Sequence, residues 1–343
     1  MVPQPLENAQ RPLWRKTPLI ESAELSKQAG CRIFLKLENL QPSGSFKSRG
    51  IGNFCATALH NASAPDNVHF YSSSGGNAGL ACVHAANSLG RPSTVVVPLS
   101  TNKAMMAKIK AAGATDVVQF GTSWSEADTY LREIIIKQAR DQGEEPIYVH
   151  PFDHPDLWAG HSTLVKEIAQ TMNDLGETAP DAVACSVGGG GLLMGVIDGV
   201  AQQGQSWQTT KVIAIETKGA DSMSQSLHQK QLVTLPGITS IASSLGAVRV
   251  ARRPFEQAMQ WHASERLSYA VITDDEAKAG CIGLADAEQI LVEPACGVTV
   301  ALSYNCLLSQ VLGRQVHKED KVVIVVCGGS NISTEMIEQW RRQ

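Results

Sequence analysis

The chain has 343 residues, too many for one small module, and its 43% hydrophobic and 18% charged residues suit a globular protein with a substantial core. A net charge of −4 leaves no basic footprint for nucleic acid or an anionic membrane. No apolar run approaches the roughly 20 residues of a membrane span, and Met1 to Arg11 lack an apolar signal core, so the expected setting is cytoplasmic, with no support for a mitochondrial presequence.

Taken in chain order, short β-branched runs alternate with helical stretches. The runs are Arg32–Leu37, Val68–Ser73, Thr94–Pro98, Asp116–Phe120, Ala182–Val187, Val212–Thr217 and Val322–Cys327. Met105–Ala112 reads as a helix stopped by Gly113. Ser123 with Glu126 reads as a capping box before a helix over Ala127–Arg140, stopped by Gly143. Near-continuous apolar strands between helices predict an α/β fold with mostly parallel sheets covered on both faces. The spacing predicts two sheets, one holding the strands near 70, 95 and 118, the other those near 185, 214 and 324. Beyond the loop that follows Cys327 only Ile332–Gln343 remain, so no appended domain for feedback by isoleucine is expected.

Eight cysteines form no C-x-x-C pair, and buried free thiols are the expectation for all but one of them. His150, His154 and His161 are close in sequence, but they read as loop and surface histidines rather than as a metal site.

Four segments carry chemical information. In Pro42-Ser43-Gly44-Ser45-Phe46-Lys47-Ser48-Arg49-Gly50, a lysine among Ser and Gly is by itself an ordinary solvated loop residue; with Phe46 as an apolar wall it also suits covalent capture of a carbonyl. Ser72-Ser73-Ser74-Gly75-Gly76-Asn77-Ala78-Gly79 follows a strand and opens a helix, a place where free N–H groups meet an anion. Ser186-Val187-Gly188-Gly189-Gly190-Gly191-Leu192 does the same. Four glycines in a row are entropically costly, and a backbone cradle for one phosphate accounts for them better than a flexible turn. It matches neither a P-loop nor, except loosely, a dinucleotide fingerprint. Val326-Cys327-Gly328-Gly329-Ser330-Asn331 ends the last strand, where ligands of open α/β sheets sit. Together these supply an amine, an anion-binding helix start, a phosphate turn and a polar strand end, a set suited to a phosphorylated aldehyde.

The ordered set S-G-S-F-K-S-R-G, S-S-G-G-N-A-G, S-V-G-G-G-G-L and C-G-G-S-N resembles the tryptophan-synthase-β-like, fold type II enzymes that use pyridoxal phosphate. Within them the chain is most similar to the catabolic L-serine dehydratase/L-threonine deaminase group, from Thr17-Pro18-Leu19 to Asn331. The resemblance implies two domains, each with a mostly parallel, helix-flanked sheet: residues 1–48 with 150–343 as the large one and 49–149 as the small one. It implies that Lys47 carries the cofactor as a Schiff base and acts as base, with Phe46 beside the ring and Asn77 on its phenolic oxygen. Gly188, Gly189, Gly190, Gly191 and Leu192 would hold the phosphate, and Cys327 would face the pyridine nitrogen. Ser74, Gly75, Asn77 and Ala78 would hold the substrate carboxylate, with Gly75 standing where relatives often carry Ala or Ser. Gly190, Glu216, Ala220, Leu245 and Ala247 would form a monovalent-cation site for potassium. The implied reaction is dehydration and deamination of L-serine and L-threonine by a homodimer.

Rival readings are a sibling such as serine racemase, a cofactor-binding protein without turnover, and a binding module for another phosphorylated ligand. Cys327 weighs against the first, because many siblings place Ser there. An intact Lys47 and both glycine cradles weigh against the second.

Overall fold

The computed structural model describes Pro12–Gln343. The strands among these residues are β1 (Leu19–Glu21), β2 (Arg32–Leu37), β3 (Val68–Ser72), β4 (Ser93–Val97), β5 (Asp116–Gln119), β6 (Glu145–Tyr148), β7 (Ala182–Ser186), β8 (Lys211–Thr217), β9 (Leu267–Ile272) and β10 (Lys321–Val326). They form two sheets within two compact units. One unit holds Gln41–Gly160 with the described residues up to Arg15; the other holds Lys16–Leu40 with His161–Gln343.

The first unit has a four-stranded sheet in the order β5-β4-β3-β6, all parallel. β3 and β4 are buried throughout, their polar His69, Ser72, Ser93 and Thr94 included, as in parallel strands covered on both faces. β6 carries Pro146, which cannot donate to a ladder, and the strand accordingly lies at the sheet edge with β3 as its one neighbour. The helices Lys47–His60 and Asn77–Ser88 pack against each other here.

The second unit has six strands in the order β1-β2-β10-β7-β8-β9, with β1 alone antiparallel. β7 and β10 are buried along their whole lengths. β2 includes a fully buried Lys36, whose Nζ lies 2.6 Å from a carboxylate oxygen of Glu167 and donates to the Thr17 carbonyl at 2.7 Å. Desolvation of that ammonium is offset by this pairing.

Two local expectations need correction. Ser123 does accept from the Glu126 N–H at 3.2 Å, but the Glu126 carboxylate takes the N–H of Thr122 at 2.7 Å instead of that of Ser123, so the box is only half formed. A complete box occurs at Thr273 and Glu276, ahead of the helix Asp274–Glu288. The single helix expected over Ala127–Arg140 is three pieces: α-helix Trp124–Tyr130, a π-helical turn Leu131–Ile135 and α-helix Ile136–Asp141. Seven of the eight cysteines are buried and free, Cys327 among them, and Cys306 is exposed.

Candidate active site

In the first unit, Lys47 is not a loop residue. It opens the helix Lys47–His60, between buried Ser45 and fully buried Arg49. Its Nζ donates to the Pro151 carbonyl at 2.5 Å and lies 5.2 Å from the centre of the Phe46 ring. A part-buried amine held by a carbonyl beside an aromatic wall meets the needs of a carbonyl-capturing lysine.

Also in this unit, β3 runs into the turn Ser73–Gly76 and then the helix Asn77–Ser88. Gly76, the residue before the helix, has no side chain to cap it, and its N–H goes to Ser74 Oγ at 3.3 Å. A Cβ at Gly79 would collide with the Ser74 carbonyl oxygen, so the glycine lets the turn fold tightly over the first helical residues. The turn is anchored from below: Ser73 Oγ donates to the Asp128 carboxylate at 2.7 Å, which also accepts from Tyr148 Oη and, at 2.9 Å, from Arg132 Nε. Ser74, Gly75, Asn77 and Ala78 thus share an uncapped helix start, an anion-binding arrangement. Asp128 had no sequence signal beyond its place in a helix.

In the second unit, β7 leads through Gly188–Gly190 to the helix Gly191–Ala201. Gly190 is the residue before the helix, with φ of 91° and no side-chain cap. A Cβ there would lie 2.7 Å from Pro254 Cβ, and one at Gly188 would lie 3.1 Å from Leu245 Cα. The Gly189 carbonyl accepts from the Ala251 N–H at 3.1 Å. Glycine is required by conformation and close approach at 190, and a side chain at 188 would be tightly packed against Leu245. The turn presents bare N–H groups at the positive end of a helix, and these fit a phosphate.

Cys327 follows β10, next to the end of β7. Its sulfur accepts from Ser186 Oγ at 3.6 Å and donates toward the Ala295 carbonyl at 3.7 Å. The neighbouring Cys296 thiol, followed by burial, pushes the Cys327 thiol well above the usual range, so it is neutral. A neutral partner suits a pyridine nitrogen that is left unprotonated. Two residues here escaped the sequence reading. Ser186 orients the thiol. The buried Glu293 carboxylate occupies the space a side chain at Gly329 would need and accepts from the Asn331 N–H at 3.2 Å. The pattern Val292-Glu293-Pro294, with Pro294 at the first position of the helix Pro294–Val300, was the available signal.

In the second unit, Glu216, Ala247 and Gly190 each neighbour the stretch Ser222–Ser224, and Leu245 neighbours Gly188. Glu216 is 1% exposed, and its oxygens accept from the Met223 and Ser224 N–H groups at 3.0 and 2.6 Å. Ser222 Oγ donates to the Ala247 carbonyl at 3.0 Å, and Met223 Cε lies 3.7 Å from the Cβ position at Gly190. Ala220 closes the turn after β8, its N–H donating to the Thr217 carbonyl at 2.9 Å. Burial pushes Glu216 up to about 7, and the amides that donate to it pull the other way. Lys218 does not pair with it, and among the described residues Glu216 has no ion pair. His150 and His154 each use Nδ1 to accept backbone N–H groups, and no cluster of three or more metal-ligating side chains occurs among the described residues.

One unit thus offers a helix-opening lysine and an uncapped helix start, and the other an uncapped, glycine-lined helix start after a parallel strand, features of α/β proteins that take carbonyl and anionic groups. The model of the family described as pyridoxal-phosphate dependent enzyme matches residues 11–328, and the chain belongs to that family. Similar relatives include a rat protein named serine dehydratase-like, 42% identical over 97% of this chain and 95% of that protein. A bovine L-serine dehydratase/L-threonine deaminase is 41% identical over 97% of this chain and 96% of its own length. Among solved structures, a fungal L-serine ammonia-lyase from Rhizomucor miehei superposes with a TM-score of 0.85 at 33% identity, covering 97% of this chain and 99% of that one. The fold is therefore that of the fold type II pyridoxal-phosphate enzymes. Among the described residues no helix is long and apolar enough to cross a membrane.

Proposed function

We propose that this chain dehydrates and deaminates L-serine to pyruvate and ammonia, and L-threonine to 2-oxobutanoate and ammonia. The observation that carries this is near-full-length likeness, at 41–42% identity, to proteins named for those reactions. Lys47 would hold the cofactor and, once displaced by substrate, take the α-proton at Nζ. Ser74, Gly75, Asn77 and Ala78 would fix the substrate carboxylate at the helix start, Asn77 also donating to the ring oxygen beside Phe46. Gly188, Gly189, Gly190, Gly191 and Leu192 would hold the phosphate through backbone N–H groups. When bound, the cofactor supplies electron withdrawal at the α-carbon. Cys327, being neutral, does not enforce protonation of the pyridine nitrogen; elimination tolerates this because the departing β-hydroxyl drains charge. A homodimer in the cytoplasm is the setting we assign to it. Keto-acid release measured with L-serine, L-threonine and O-acetylserine tests the reading. Turnover of the two hydroxyamino acids is expected; turnover of O-acetylserine alone would overturn it.

The cation assignment yields a separate prediction. Glu216 titrates near 7 in the folded chain, against an ordinary value of 4.5. The unfolded chain ionises first as pH rises, so stability falls between about pH 4.5 and 7, a loss on the order of 3 kcal/mol that is complete above pH 7. Potassium held by the ionised carboxylate and nearby carbonyls would cancel part of that loss. The unfolding temperature in potassium should exceed that in tetramethylammonium at about pH 8 and coincide with it below about pH 5. Glu216→Gln should remove the difference. Identical curves and activities in the two salts at the higher pH would remove the site.

A further inference from the structure

The segment after β6 carries more structure than a connecting loop needs. His150 Nδ1 accepts two backbone N–H groups, from Phe152 at 3.2 Å and Asp153 at 2.8 Å. Between them in the chain, Pro151 has no N–H to contribute, and its carbonyl accepts from Lys47 Nζ at 2.5 Å. The next carbonyl, that of Phe152, accepts from Trp158 Nε1 at 2.8 Å. The imidazole stands edge-on to two rings, Tyr148 at 6.0 Å and Phe152 at 4.6 Å. Tyr148 is tied by its hydroxyl to Asp128, and Val149 donates to the Tyr71 carbonyl at 2.7 Å. The chain is thus fixed to the sheet on one side of His150, and the ring cannot rotate away from the turn.

We infer that His150 is a positioning residue: its neutral ring closes the turn Pro151–Asp153, and the closed turn holds the Pro151 carbonyl where it grips the Lys47 amine. This rests on the reading that Lys47 is the cofactor-bearing lysine.

The chemistry requires one tautomer. An Nδ1 that accepts two N–H groups must be bare, so the ring proton is on Nε2. Protonation would put a third donor against two others and open the turn. Burial holds the ring neutral, pushing His150 down to about 4. The Asp128 carboxylate opposes this, while the charges of Lys47, Arg132 and His154 reinforce it. The turn therefore stays closed throughout the neutral range. During turnover the displaced amine needs a fixed station beside the α-carbon, and the Pro151 carbonyl provides direction as well as reach.

Two variants separate positioning from packing. His150→Phe keeps a ring between Tyr148 and Phe152 and removes the acceptor. His150→Asn supplies an oxygen that can accept the same two N–H groups, as asparagine does in turns. In the cofactor-free chain, acetic anhydride labelling of Lys47 at neutral pH should quicken on the order of tenfold in His150→Phe, because an ammonium that loses the Pro151 acceptor gives up its proton more readily. In the loaded enzyme kcat should fall on the order of tenfold with KM unchanged. His150→Asn should lie within about threefold of the parent in both. Nitrogen NMR of the parent, independent of any variant's folding, should show His150 Nδ1 unprotonated from about pH 5 to pH 9. Parent-like Lys47 labelling in His150→Phe, failure of His150→Asn to restore it, or a protonated Nδ1 would each overturn the inference. Borohydride reduction of the loaded parent with peptide mapping identifies the other failure: label on a lysine other than Lys47 overturns the Lys47 assignment itself.

Discussion

Lys47→Ala should lower keto-acid release by on the order of 10⁴-fold or more while leaving the unfolding temperature within a few degrees of the parent. The two halves of that expectation have separate causes. Alanine is the best helix former, and position 47 is the first residue of the helix Lys47–His60, so the backbone has no reason to change. What disappears is the amine that, on the proposed function, both holds the cofactor and removes the proton. The nearest basic side chain in sequence, Arg49, is fully buried and cannot stand in as a base. Stopped assays of pyruvate, together with absorbance of the bound cofactor, measure the loss. Retention of even a tenth of the parent rate would place the chemistry on another residue.

Gly190→Ala should cost the enzyme its cofactor. At φ of 91° an L-residue is strained by about 1–2 kcal/mol. The new methyl would also stand 2.7 Å from Pro254 Cβ, so the turn or the proline must shift. Because the turn would hold the phosphate through N–H direction, a shift of this kind acts on affinity more than on fold. We expect the dissociation constant for pyridoxal phosphate to rise by about 30-fold or more, and the unfolding temperature to drop by several degrees. Gly176→Ala is the control. Gly176 has φ of 71° and nothing within 4 Å of its Cβ position, so it carries the conformational strain alone. It should lower stability by about 1 kcal/mol and leave cofactor affinity unchanged. If both variants bound cofactor as the parent does, the glycine turn would not be the phosphate site.

The parts of this molecule most legible in its sequence are those where one physical cause dominates. β2, β3, β7 and β10 are buried on both faces, and their apolar runs mark them within a residue. β6 was missed because Pro146 breaks the run, and only its edge position makes that tolerable. β9, also at an edge, has half-buried residues and no clean alternation. Lys47 was singled out by its neighbours, but its place at a helix start was hidden by Gly44 and Ser45, which read as loop. The glycine turn announced itself by composition. Ser186, Asp128, His150 and Glu293 did not, since each acts by orienting another group, and orientation depends on residues far away in the chain.

The π-helical turn at Leu131–Ile135 has a consequence for the length of this chain. Ala127, Leu131, Ile136 and Ala139 lie in one buried cluster, yet Ile136 comes five residues after Leu131. On an unbroken α-helix that step would swing Ile136 roughly 140° off the buried side. The wider turn takes up the surplus residue and returns the side chain to the core. Asp128, which anchors Ser73, precedes the surplus and is untouched by it. The exposed pair Glu133–Ile134 is therefore a slot where one residue can be deleted without changing what either end of the helix contacts.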